Sequence, residues 1–202
     1  MAKVWNDFLP LLLPHVPSCP DITLKTYLGI VSSDFFARTY LWRDNIDAIY
    51  LAPNQIEYDL DAEAVVEDVI SVVYDDKVLD RTDIRFIPAE RAAETGEPRA
   101  FWVQADRSIR VFPVPEAAGK MTVTAVLKPS RTASGVEDWI YETFADVLVS
   151  GTVAQVAMIP GKDWTSPDLA LMHKGLYERA ITQARIRDMR GVPMGARMRP
   201  AA

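Results

Sequence analysis

Residues 158–170 read MIPGKDWTSPDLA, and the fold depends on whether they make a ligand loop or a corner between helices. Gly161-Lys162 invites comparison with a phosphate loop, which needs GxxxxGK[ST] after a strand and before a helix. Here the preceding segment has helical periodicity, the first glycine of the pattern is absent, and Asp163 follows the lysine. The alternative accounts for nearly every position. Pro160 and Gly161 stop one helix, Ser166 is placed to cap the next, Pro167 suits its first turn, and Asp168 is a favourable first-turn anion. Trp164 is then expected to act as a wedge that sets the angle between two antiparallel helices.

Working outward, Trp139, Ile140, Phe144, Val147, Leu148, Val153 and Val156 recur at helical spacing before the corner. After it, Leu169, Met172, Leu176, Tyr177, Ala180, Ile181 and Ala184 are expected on the buried side of a helix running to about Arg190, with Gly191 as its terminator. Near the start, WNDFLPLLLPHVPSCP is too rich in proline for a long helix and reads as an arm packing through Trp5, Phe8, Leu9 and Leu12. Asp21 is placed to cap a helix over about Ile22 to Arg43.

Between these helical ends the period changes to two. The segments DAIYLA, QIEYDL, VISVVYDD, KVLDRTDIRFI, AFWVQADRSIRVFP and GKMTVTAVLKP read as short strands joined by turn residues. The expected class is α+β: an antiparallel helix bundle of one N-terminal and two C-terminal helices, with a small antiparallel β-sheet or sandwich inserted in the middle. The expected boundaries are a helical body over 1–45 and 130–191, a β-rich lobe over 46–129, and an extended tail over 192–202.

The chain has 202 residues and a net charge of −6, unevenly distributed. Residues 44–98 hold fifteen acidic against four basic side chains, whereas the stretch after Leu169 holds seven basic against two acidic. Such polarity suits contact between the acidic part of one copy and the basic part of another, with Asp75, Asp76, Arg179, Arg185 and Arg187 as subunit-interface candidates. The net acidity argues against specific duplex binding.

Little chemistry is available. One cysteine, Cys19, excludes an intrachain disulfide and a multi-cysteine zinc site, and suits synthesis in a reducing cytoplasm. His15 and His173 are the only histidines and are far apart in sequence; His173 is expected at a surface or interface. The carboxylate pairs Glu67-Asp68 and Asp75-Asp76 have no basic constellation beside them, and no GxSxG elbow occurs. No catalytic residue, metal site or cofactor is expected. FLPLLLPHVP is cut by three prolines, and no apolar run is long enough to span a bilayer.

The order of a proline-broken arm, the helix TLKTYLGIVSSDFFARTYLWRD, a β-rich middle containing RSIRVFPVP, and the two-helix end SGTVAQVAMIPGKDWTSPDLALMHKGLYERAITQAR resembles the head-to-tail adaptor (connector) proteins of tailed bacteriophages. It is similar to the tail tubular protein A type of short-tailed phages. That resemblance implies a non-enzymatic virion protein forming a ring, usually of twelve copies, at the head-tail junction. Its implied partners are the portal protein, the next tail component (nozzle or tail tube), and genomic DNA passing through the channel without sequence-specific binding. Carried over, Gly191, Val192, Pro193, Met194, Arg197, Met198 and Arg199 become portal-docking candidates. Three competing readings remain: a phage stopper or tail-completion protein of similar size, a hydrolase with an acidic cleft, and a monomeric or dimeric binding module of bacterial origin.

Overall fold

The computed structural model describes residues 2–189 apart from Asp61, Glu63, Ile84, Phe86, residues 88–90, Ala92, Ala93 and Asp106; the side chains of Asp47 and residues 187–189 also fall outside the description. Two compact units form, one from the residues up to Leu41 with those from Lys128 onward, the other from Trp42–Leu127. The class is mixed α+β.

The first unit begins with strand β1 (Ala2–Val4), a 3-10 turn over Trp5–Phe8 and the short helix α1 (Leu9–Leu12). Pro10 falls in the first turn of α1, where a missing N–H costs least. Phe8 and Leu12 are fully buried, Trp5 is buried, and Leu9 is half-buried. The Trp5 indole N–H donates to the Ala133 carbonyl at 2.7 Å, so this apolar ring also satisfies its polar edge. Strand β1 pairs antiparallel with β12 (Gly135–Glu137). A Cβ at Gly135 would lie 2.0 Å from the Lys3 carbonyl oxygen, so glycine is what lets the two backbones approach. Three-residue strands carry no readable period, and sequence reasoning missed both.

Helix α2 runs over Asp21–Thr39. Asp21 sits in its first turn, and Pro20 is the residue at the cap, so the expected capping role of Asp21 is corrected to a dipole contribution. The helix stops four residues short of the expected Arg43. Tyr40 adopts a left-handed conformation at φ 58° and donates its N–H to the Phe36 carbonyl, and the chain enters a strand at Arg43. Helices α3 (Asp138–Val156) and α4 (Pro167–Met189) pack on α2 and on each other. Phe35 and Phe36 of α2 meet Phe144 of α3 with ring centroids 5.1 and 5.9 Å apart. Each fully buried phenylalanine of this kind stabilises by about 1.5–3 kcal/mol. Gly151 marks the closest approach: a Cβ there would lie 2.5 Å from Val31 and 2.8 Å from Tyr177.

The buried side of α4 differs from expectation. Tyr177, Ile181 and Ala184 are buried, as is His173, which was expected at a surface or interface and lies inside the helical unit. Met172 and Leu176, expected in the core, are 56% and 47% exposed. The apolar stripe read from the sequence is wider than the strip that α2 and α3 cover.

The second unit is built on two four-stranded sheets. One has the order β2-β11-β4-β5, from Arg43–Leu51, Gly119–Lys128, Val65–Tyr74 and Lys77–Val78. The other has the order β3-β9-β8-β6, from Glu57–Tyr58, Ile109–Phe112, Ala100–Val103 and Asp80–Arg81. Strand β11 alternates in burial through Met121, Val123 and Ala125, then buries Val126 and Leu127 in succession. The hairpin β8–β9 closes as its turn residues suggest, with Gln104 and Arg107 in the turn. GKMTVTAVLK, which follows that hairpin in sequence, pairs with β2 and not with β9, so the hairpin and this strand belong to different sheets. A further pairing of β7 (Thr95–Gly96) with β10 (Val114–Pro115) is parallel, as is β6 with β8. Alternation reports which face is buried and is silent on strand direction.

Candidate functional site

The corner 157–166 is closed by its own hydrogen bonds. The Ser166 N–H donates to the Ala157 carbonyl at 2.9 Å, tying the end of α3 to the start of α4. The Thr165 hydroxyl donates to the Ile159 carbonyl at 2.5 Å and accepts the Lys162 N–H at 3.0 Å. A phosphate loop needs free backbone N–H groups converging on an anion, and here the lysine N–H is already engaged. Gly161 takes φ 69°, the left-handed conformation a tight corner requires. Pro160 and Pro167 are exposed, Ser166 is half-buried, and the Ser166 carbonyl accepts the Ala170 N–H in the first turn of α4. Trp164 is half-buried, and its indole N–H is buried with no partner among the described residues.

Several described carboxylates of the acidic stretch are engaged by neighbouring donors. Glu57 takes the Arg110 guanidinium at 2.6 Å and the Ser108 hydroxyl at 3.0 Å. Asp68 pairs with Arg81 at 2.8 Å, and Glu67 lies 3.7 Å from Arg107. Asp75 accepts the Lys120 N–H at 3.0 Å, and Lys77 pairs with Glu97. The hydrogen-bonded Arg85 guanidinium holds the Asp83 carboxyl down at about 2, and Arg91 and Arg38 likewise lower Glu94 and Glu178. A general acid needs the opposite shift, with a carboxyl raised towards neutrality by desolvation. Arginine-held carboxylates therefore serve as structural and surface charges.

The histidines, distant in sequence, meet in space: the rings of His15 and His173 lie 4.8 Å apart, edge to face. His173 is 4% exposed, and neither ring nitrogen finds a hydrogen-bond partner among the described residues. Burial, with a smaller contribution from His15, pushes its pKa down, so the neutral ring is favoured. Cys19 is buried, and the same desolvation raises its thiol above its ordinary value, the reverse of a reactive cysteine. No cluster of three or more metal-ligating side chains occurs among the described residues, and no described helix is long and apolar enough to cross a membrane.

Between α2 and α4 the polar contacts form a clasp. Arg38 donates to Glu178 at 2.5 and 2.9 Å and to Asp34 at 3.4 Å, and the Tyr177 hydroxyl donates to Asp34 at 2.9 Å. Burial and the Asp34 carboxylate push the Tyr177 phenol far above its usual range. Sequence reasoning missed this clasp because its members lie about 140 residues apart.

Of the residues singled out for contact, Asp75 and Asp76 form the exposed turn between β4 and β5, both at positive φ. Arg179 and Arg185 are exposed on α4; Arg187 is on the same helix, with its side chain outside the description. Gly191, Val192, Pro193, Met194, Arg197, Met198 and Arg199 lie outside the described residues.

No curated protein matches the chain. Residues 9–199 match the family described as SU10 adaptor protein. That span takes in the arm from α1 onward, both units and α4, and it does not extend to a likeness with the tail tubular protein A type. Over nearly its whole length, then, this chain of structural helices, arginine-held carboxylates and buried histidine is a member of the SU10 adaptor protein family, the structural adaptors of the phage head-tail junction.

Proposed function

We propose that the protein forms a closed homomeric ring, twelve-membered in the assembled particle, that joins the portal of the phage head to the next tail component and continues the DNA channel. The observation that carries this reading is the family match over residues 9–199. It is supported by the polarity of the chain, since a ring needs a head-to-tail contact between two different faces of one protomer. Acidic residues concentrate in 44–98 and basic ones after Leu169, which gives one protomer two oppositely charged segments. DNA passes through the ring without base-specific contact, in keeping with the overall negative charge.

In this reading the helical unit, a bundle of α2, α3 and α4, forms the ring body, and Trp164 with its neighbours fixes the angle at which α4 leaves the corner. The basic stretch from Gly191 to Ala202 docks on the portal. Deleting Gly191 to Ala202 tests that role: portal binding is expected to be lost while the melting transition is retained, and unchanged portal binding would remove the tail from the mechanism.

A further inference from the structure

The outer face of α4 is unlike an ordinary solvated helix face. At 100° per residue, Met172, Leu176 and Ile186 fall within about 80° of arc, and Arg179 lies between them. These three are 56%, 47% and 43% exposed, on the side opposite the buried Tyr177, Ile181 and Ala184. The Arg179 side chain makes no ion pair or hydrogen bond among the described residues, in contrast to Arg38, which pairs with Glu178. An unpaired arginine amid exposed methionine and leucine is the composition of an interface core.

The second unit carries a counterpart of opposite sign. The β4–β5 hairpin turns at Asp75-Asp76 and presents Val78, 71% exposed, on the two-residue edge strand opposite Val73. Asp75 is engaged by the Lys120 N–H, whereas Asp76 makes no hydrogen bond or ion pair among the described residues. So one surface offers apolar area around an unpaired cation, and the other offers apolar area beside an unpaired anion.

We propose that the outer face of α4 in one copy docks on the β4–β5 hairpin of a second copy, with Arg179 meeting Asp76 and with Met172 and Leu176 covering Val78. This rests on the ring reading above and names the surfaces through which the ring closes. A two-fold pairing of α4 with α4 would bring Arg179 towards its own copy, and like charges within a desolvating contact oppose it. The unlike pairing has no such conflict, and it is heterologous, as ring closure requires.

The test mixes two single-cysteine proteins, Leu176→Cys and Val78→Cys, each in a Cys19→Ala background whose melting is checked first. Each protein and the mixture are assembled with portal protein and treated with a short bismaleimide. The expected result is a cross-linked pair holding one chain of each kind, formed in the mixture and in neither preparation alone. In parallel, Arg179→Asp and Asp76→Arg are each expected to weaken subunit association roughly tenfold or more, and the double variant to restore it. Oligomers that form without this cross-link, that link Leu176→Cys to itself, or that link it to portal would overturn the proposed contact and leave the ring reading standing. Absence of any oligomer, alone or with portal, would overturn both.

Discussion

His173 shows how a single side chain can be misread from sequence. On a helix with charged neighbours it was expected at a surface or interface, yet its ring is buried against His15 within the chain, with both nitrogens unpartnered among the described residues. The signal was weak because helical phase placed it at the border of the stripe, and its actual neighbour is in the arm. Its titration has a consequence for stability. The unfolded imidazole titrates near 6.5 and the folded one lower, so the unfolded chain binds more protons between those values. The contribution of His173 to stability is fully present above about pH 6.5 and is lost as pH falls below it. His173→Leu is expected to flatten the decline in melting temperature between neutral and mildly acidic pH; a slope identical to that of the native protein would contradict this. Thr165, by contrast, drew no notice in the sequence, although its hydroxyl holds the corner by two hydrogen bonds. A threonine in a loop has too many ordinary explanations to stand out.

At the level of elements, α2, α3, α4 and the long strands were readable because each repeats its period over many residues. What periodicity could not give was partnership: which strand lies beside β11, that β6 and β8 run parallel, and that two three-residue strands join the start of the chain to the entry of α3. Those facts are set by long-range packing, which leaves only small traces, such as Gly135 and Gly151 where backbones or side chains approach too closely for a Cβ. Gly151 offers the most direct test of helix packing. Gly151→Val would place atoms against Val31 and Tyr177 and is expected to destabilise by about 2–3 kcal/mol, measured by denaturant unfolding. A change below about 0.5 kcal/mol would mean that the three helices do not meet there in solution.

For the whole molecule, the mixed α+β class was legible from the change of period along the chain, and the adaptor resemblance rested on the order of elements. The surfaces proposed for contact were legible only in part. Charge polarity showed through the sequence, but the exposed apolar face of α4 did not, because Met172 and Leu176 sit in helical phase with the core and only the width of α2 and α3 decides that they remain uncovered. Membership of the SU10 adaptor protein family places the protein at the junction of head and tail. The most direct test is the native mass of the protein alone and after mixing with the portal protein of the same phage. The predicted result is a multimeric complex with portal, with the same chain present in purified virions; a species that stays monomeric beside portal and is absent from virions would contradict it.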